Sequence, residues 1–229
     1  EATLCKPEWL EGLNRMDVNW VSSNFTKETL EKVTYTKKRG EQVESVLKVT
    51  KPIHVIFEGA NLEIYKPIPS KECGDINLDY IKEKNVFLFV GHWMQGDLGH
   101  DRKNVGLLIQ QFYETFKNQK SPPALLLKTS RGPSSYISRD SILDSIRQIK
   151  EGIAGSTFPN IYLLNGEFTD SEINQLYNNP KIKAMVSLTK GEGFGRPLLE
   201  FSLVGKPIVA SNWSGHLDFL NKEFVNLIY

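Results

Sequence analysis

Two glutamates, Glu192 and Glu200, enclose the part of the sequence whose residue types are best suited to chemistry. Glycines alternate with other residues here, at Gly191, Gly193 and Gly195. Because glycine has no Cβ, such a loop lets the backbone approach a ligand closely and adopt positive φ. Pro197 predicts the start of a helix with Glu200 in its first turn, and the free N–H groups of a helix start favour anions. Carboxylates beside an anion site suit a ligand that carries both phosphate and sugar hydroxyls.

Other interpretations of this segment are weaker, although one stays open. A dinucleotide-binding fingerprint would need a small residue where Arg196 stands, and a P-loop would need Gly-Lys-Ser/Thr, which the sequence lacks. A plain glycine-rich turn between a strand and a helix, with two solvated acids, fits the pattern of this segment about equally well. The neighbouring elements must therefore decide.

Strands and helices alternate from residue 86 onward. Short apolar runs predict strands at 86–90, 124–127, 161–164, 184–188 and 207–210. Helical spacing of apolar residues predicts helices at 105–116, 138–149, 171–177 and 197–204. Strands that are apolar on both faces and alternate with helices are typical of a doubly wound parallel α/β sheet. The glycine segment then follows a strand, at the carboxyl edge where open α/β folds bind ligands.

Composition excludes several classes of protein. The 229 residues include 28 Lys and Arg against 27 Asp and Glu, which gives a net charge of +1 and argues against a general nucleic-acid binder. No apolar run approaches the roughly 18 residues of a membrane span, and the first residues do not resemble a signal peptide. The two cysteines, Cys5 and Cys73, form no disulfide or zinc pattern. We therefore expect a cytoplasmic setting.

The first third of the chain is less regular. We predict strands at 18–21 and 53–57, a helix at 26–33 and an exposed basic loop tip at 37–40. These elements are too few to enclose a core, and prolines and Gly74 mark a linker. The expected domains are a remnant of an N-terminal domain at 1–66, a linker at 67–84 and a C-terminally incomplete ligand-binding domain at 85–229.

Several segments together resemble a known family. The sequence EGFGRPLLE, followed by GKPIVAS, resembles the two-glutamate motif of the retaining glycosyltransferases of family 4, which have the GT-B fold. VFLFVG with the following Arg102-Lys103-Asn104 is similar to the family's first C-terminal strand and phosphate-binding pair, and HVIFEGANLEIYKP to its domain crossover. The resemblance implies a Rossmann-like C-terminal domain of a GT-B fold, preceded by the tail of a truncated N-terminal domain.

The resemblance also implies roles for individual residues. Glu192 and Lys103 would be the catalytic pair, with Glu192 on the transferred sugar and Lys103 on the diphosphate. Glu200 would bind the ribose hydroxyls. The other implied donor-binding residues are Arg102, Gly193, Phe194, Gly195 and His92, the last standing where the family often has an arginine. No metal and no cofactor beyond the donor are implied.

The implied activity is transfer of a sugar from a nucleotide diphosphate to an unknown acceptor (a glycan, lipid or protein), with retention of configuration. The chain alone is expected to bind a donor without turnover, and a missing domain could contact a membrane surface peripherally. Two alternatives stay open: another GT-B enzyme such as an epimerase or phosphorylase, and a non-catalytic module that binds nucleotide sugars.

A few further residues are candidates at the same edge. Lys128 is either an added positive charge or a surface lysine, and Trp93 is either a stacking platform or, as we favour, a buried loop anchor. Ser214, Gly215 and Asp218 are expected to line the pocket. The four histidines lack the spacing of a metal motif or triad; the one cluster that merits a metal test is His92, Asp97, His100 and Asp101.

Overall fold

The computed structural model describes residues 4–74, 76–93, 98–133, 135–223 and 225–228. The first part of the chain contains α1 (Pro7–Asn14), β1 (Asn19–Val21), α2 (Asn24–Lys32), β2 (Tyr35–Arg39), β3 (Gln42–Leu47) and β4 (Ile53–Val55). β1 and β4 pair in parallel, and β2 and β3 form an antiparallel hairpin. A small apolar cluster lies beneath them, formed by Cys5, Leu10, Leu30, Val33 and Ile53.

The predicted helix and strands of this part are confirmed with slightly shifted bounds, whereas α1 and the hairpin were not predicted. The expected loop tip at 37–40 is exposed and the chain turns at Gly40, whose φ is 65°, but the tip is shorter than expected because Lys37–Arg39 belong to β2. Apart from Tyr35 and Leu47 at its base, both faces of this hairpin are exposed, so its sequence lacks the alternation of apolar and polar residues that marks a half-buried strand.

The remainder of the chain builds one six-stranded parallel sheet. Its elements are β5 (Val86–Val90), α3 (Val105–Phe116), β6 (Ala124–Lys128), α4 (Tyr136–Glu151), β7 (Ile161–Leu164), α5 (Asp170–Asn178), β8 (Ile182–Ser187), α6 (Arg196–Ser202), β9 (Ile208–Ser211) and β10 (Asn226–Ile228). The strand order is β10-β9-β8-β5-β6-β7. The doubly wound parallel fold is thus confirmed, with β10 as an edge strand that was not predicted.

Helices cover both faces of the sheet. α3 and α4 bury Ile109 and Ile142 against Phe89 of β5 and its neighbours. On the other face α5 and α6 bury Tyr177 and Phe201. Local sequence explains the helix starts: Thr169 and Glu172 form a capping box at α5, and Ser135 caps α4 by accepting the N–H of Ser138 at 3.1 Å.

The segment predicted as a linker also packs on the sheet. Ile76, Leu78 and Ile81 are buried in the layer that contains α5 and α6. A short 3-10 helix at Ser70–Glu72 precedes them. Within the described residues, no helix is long and apolar enough to cross a membrane.

The strand order creates a topological switch point. The chain runs outward from β5 to β6 and β7, then returns to place β8 on the other side of β5. The connections that leave β5 and β8 therefore diverge to opposite faces of the sheet and open a crevice at the carboxyl ends of these two strands. Ligands of open α/β sheets bind in this crevice.

Candidate functional site

Three charged side chains meet at the switch point between β5 and β8. Lys103 and Arg102, which follow β5, both bind the carboxylate of Glu192, which follows β8. The Lys103 ammonium donates to Glu192 Oε1, and the Arg102 guanidinium lies 3.3 Å from Oε2. Glu192 is 6% exposed and Lys103 is 8% exposed, whereas Arg102 is only partly buried. The cluster carries one net positive charge, in a place from which water is largely excluded.

The loop after β5 is built to present these two cations. Asn104, the residue before α3, adopts a left-handed conformation with φ of 57°, and the Asp101 carboxylate accepts the N–H of Val105 at 3.1 Å. The Lys190 N–H donates to the carbonyl of Arg102 at 3.0 Å, which ties this loop to the one after β8. Lys103 therefore projects from a short, fixed stretch of backbone.

The backbone of Glu192 is held on both sides by the loop after β9. The Glu192 N–H donates to Ser214 Oγ at 2.9 Å, and the Gly215 N–H donates to the Glu192 carbonyl at 2.9 Å. A Cβ at Gly215 would lie 2.7 Å from that carbonyl oxygen and closer still to the carbonyl of Gly193. Only glycine lets the two loops approach this closely. Ser214 and Gly215, which were expected to line the pocket, thus hold the backbone of Glu192.

His216 contacts Ser214, which binds the backbone of Glu192, and the strand β9. Its Nε2 lies 2.7 Å from the Ser211 carbonyl and its Nδ1 lies 3.4 Å from Ser214 Oγ. Burial lowers the pKa of His216, although the bond to the Ser211 carbonyl opposes this. The imidazole is therefore neutral at pH 7. Since a carbonyl only accepts, Nε2 carries the proton, and Nδ1 is left to accept the Ser214 hydroxyl.

Glu200 lies in a second, separate ion pair. Its Oε1 accepts from Arg196 Nε at 2.8 Å, and its Oε2 lies 3.4 Å from the Tyr177 hydroxyl. Burial raises the pKa of Glu200, and the neighbouring Arg196 counteracts this. Burial also raises the pKa of Tyr177, so this phenol stays protonated and donates. α6 begins at Arg196, one residue earlier than predicted, so Glu200 falls in its second turn and not in its first.

The three glycines of the loop have different backbones. Gly195 has a φ of 98°, whereas Gly191 and Gly193 are not among the glycines with positive φ, so only Gly195 uses the conformational freedom that the sequence offers here. Phe194 is buried and packs against Phe57 and Phe219, with ring centroids 4.9 and 5.1 Å away. Its side chain anchors the loop, which leaves its main chain for any contact with a ligand.

The first part of the chain contacts this loop directly. The Ser22 hydroxyl lies 3.4 Å from the Gly193 carbonyl. The backbone N–H and side-chain amide of Asn24 both donate to Asp218, at 2.8 and 3.2 Å. Asp218, expected in the pocket, thus binds the first turn of α2. The candidate site is consequently bordered by both parts of the chain.

The remaining predicted residues lie along the same edge. His92 is exposed, and its Nδ1 lies 3.0 Å from the Ser130 hydroxyl beyond the end of β6. Trp93 is buried under the guanidinium of Arg131, 4.3 Å from the ring centroid, which confirms it as a loop anchor. Lys128 donates to the Gly166 carbonyl at 3.0 Å.

Of the four residues proposed for a metal test, the structure describes His92, His100 and Asp101, whereas Asp97 lies outside the described residues. Among the residues that are described, no group of three or more His, Cys, Asp or Glu side chains is arranged to hold a metal ion.

The structure therefore brings Lys103, Arg102 and Glu192 into one cluster and gives Glu200 its own partners. Sequence reasoning missed Tyr177 and Arg196 as the partners of Glu200. The four-residue spacing of Arg196 and Glu200 on one helix is a signal that could have found the second of these.

Comparison with known proteins finds solved structures with a similar fold. No protein-family model and no curated protein matches the sequence. Among solved structures, sucrose-phosphate synthase from Thermosynechococcus elongatus is similar over 96% of this chain and 47% of its own, with a TM-score of 0.66 and 19% identity. HepE from Anabaena, solved with UDP and glucose, is similar over 97% of this chain and 54% of its own, with a TM-score of 0.63 and 18% identity.

A third similar structure is a C-terminal domain. The C-terminal domain of the glycosyl transferase group 1 family protein LpcC from Francisella tularensis is similar over 74% of this chain and 80% of its own, with a TM-score of 0.52 and 14% identity. At these identities the likeness shows the fold, which is that of GT-B proteins with a Rossmann-like C-terminal domain. The chain spans about half the length of the first two structures.

Proposed function

We propose that the crevice between β5 and β8 binds a nucleotide-diphosphate sugar, and that the whole protein transfers this sugar to an acceptor. The observation that carries the proposal is the meeting of Lys103 and Arg102 with Glu192 at the switch point. Two cations and a carboxylate at one place match a ligand whose diphosphate lies next to sugar hydroxyls. The position of this crevice supports the proposal, because open α/β sheets bind ligands at the switch point, outside the carboxyl ends of the strands.

Lys103 and Arg102 are assigned to the diphosphate. Charge-assisted hydrogen bonds from an ammonium and a guanidinium are short and strong, and a guanidinium binds phosphate oxygens in pairs. As the bond from sugar to phosphate breaks, negative charge grows on the leaving diphosphate. Cations already fixed at that place stabilise this charge without having to reorganise. These two residues can therefore supply the charge that a divalent cation would otherwise supply, and we propose a reaction without an essential metal.

Glu192 is assigned to the hydroxyls of the transferred sugar, with the N–H groups of Phe194 and Gly195 nearby in the same loop. Glu200 is assigned to the ribose, whose two adjacent hydroxyls can each donate to one carboxylate oxygen. Arg196 and Tyr177 already hold this carboxylate in place, so the diol meets a fixed acceptor. His92 is assigned to the outer edge of the diphosphate.

Retention of configuration and a glycan, lipid or protein acceptor complete the proposal and are supported by the resemblance of the glutamate motif alone. The proposed cytoplasmic location is supported by two cysteines that form no disulfide pattern. Two of the structures with a similar fold, of HepE, contain UDP-glucose or UDP with glucose. Uridine donors are therefore the first to test.

Isothermal titration of the chain with UDP-, GDP- and ADP-glucose tests the donor site. We expect one of these donors to bind, and Glu200→Ala to weaken its binding by about tenfold through loss of the ribose contact. A folded chain that binds none of them, or binds equally well after the substitution, would contradict the site assignment. Transfer and retention are tested on the full-length protein by following the anomeric proton of the product by NMR.

A further inference from the structure

Glu192 occupies both cations that the proposed function assigns to the diphosphate. The carboxylate is 6% exposed, and Lys103 and Arg102 each bind one of its oxygens. Lys103 is itself almost fully buried and paired with Glu192, so a diphosphate that binds its ammonium weakens this ion pair. An incoming diphosphate and Glu192 therefore compete for the positive charge of the same two cations.

From this competition we infer that Glu192 makes the site select a diphosphate that carries hydroxyl groups over a bare diphosphate. The inference rests on the proposed function and adds a specificity role to Glu192. A buried carboxylate that loses its cation is strongly destabilised. A ligand that takes Lys103 must therefore give Glu192 new hydrogen-bond donors, and sugar hydroxyls next to the phosphate can do so. Inorganic pyrophosphate cannot.

Glu200 offers a matched control in the same motif. Its partner Arg196 is four residues away on the same helix, with a side chain that is 62% exposed. This pair involves neither Lys103 nor Arg102. Neutralising Glu200 removes the same charge from the same part of the protein without releasing either of those two cations.

The test is isothermal titration of pyrophosphate, UDP and UDP-glucose into the wild type, Glu192→Gln and Glu200→Gln. Pyrophosphate is the decisive probe because it has neither ribose nor sugar. We expect Glu192→Gln to bind pyrophosphate about tenfold more tightly than the wild type does, because the cations no longer have a charged competitor. We expect the preference for UDP-glucose over UDP to fall by about tenfold in the same variant. Glu200→Gln should leave pyrophosphate binding within about twofold of wild type.

The outcomes separate the two proposals. Equal or weaker pyrophosphate binding by Glu192→Gln overturns the selectivity role, and so does an equal gain in both variants, which would reflect net charge alone. A folded wild type that binds no nucleotide sugar contradicts the proposed function, and the selectivity role falls with it. Thermal unfolding checks that each variant is folded, and Glu192→Ala removes the same charge if the glutamine variant does not fold.

Discussion

Replacing Gly215 by alanine would test how tightly the loop after β9 supports Glu192. The new Cβ would lie 2.7 Å from the Glu192 carbonyl oxygen. A carbon and an oxygen normally approach no closer than about 3.3 Å, so the loops must separate by more than about half an ångström. Overpacking of this kind costs about 1–3 kcal/mol, and loss of the hydrogen bond from Gly215 to Glu192 costs about 1 kcal/mol more.

We therefore expect Gly215→Ala to lower the free energy of unfolding by about 2–4 kcal/mol, measured by urea denaturation. Displacement of Glu192 should also weaken donor binding by more than about tenfold. Gly12→Ala is the matched control, because a Cβ at Gly12 in α1 meets no atom within 4 Å. That variant should be as stable as the wild type or more stable, since alanine favours a helix.

Two results would refute the reasoning about Gly215. If Gly215→Ala unfolds at the same urea concentration as the wild type, the two loops are not in the close contact described above. If the variant is destabilised but binds the donor as well as the wild type, the loop after β9 is not needed to place Glu192.

Three further predictions concern single residues. Lys103→Ala should weaken donor binding by at least about tenfold in titration calorimetry, because it removes a buried cation, whereas Lys37→Ala on the exposed hairpin should have no effect. Burial lowers the pKa of His216 in the folded state, so the unfolded chain takes up a proton first as the pH falls. The free energy of unfolding should therefore keep the full contribution of His216 above the pKa of an unfolded histidine, about 6.5, and lose it as the pH falls below that value. The urea midpoint of His216→Gln should change less between pH 7.5 and 5.5 than that of the wild type. Thr169→Ala removes the capping box of α5 and should cost about 1 kcal/mol in urea unfolding without changing donor binding; a large binding loss would show that donor binding depends on the first turn of α5 as well as on Tyr177 in its last turn.

Much of the sheet domain could be predicted because its strands are continuous apolar runs. Val86–Val90, Ile161–Leu164 and the helix Val105–Phe116 have the predicted bounds, and the other three helices differ by one or two residues at their ends. The segment 67–84 was harder. Its prolines are typical of a linker, but Ile76, Leu78 and Ile81 follow no helical or strand period, and only the folded sheet shows that they are buried.

The candidate site could be predicted as a set of residues but not as a set of contacts. Two separate segments that resemble family 4 indicate Glu192 and the pair Arg102 and Lys103, yet nothing local shows that the cations bind the carboxylate. Gly215 contacts Glu192 from 23 positions away in the chain, through a loop without periodicity. Contacts of this kind depend on the strand order, which places the loops after β8 and β9 side by side.

The long separations along the chain also bear on how the protein refolds. Lys103 and Glu192 are 89 residues apart, and Asn24 and Asp218 are 194 residues apart. Closing long loops loses entropy before the contacts that close them form, and parallel sheets made of such contacts fold slowly. We therefore expect the helical circular dichroism signal to recover first and donor binding to return last. For part of its refolding time the chain would then be largely structured without a working site.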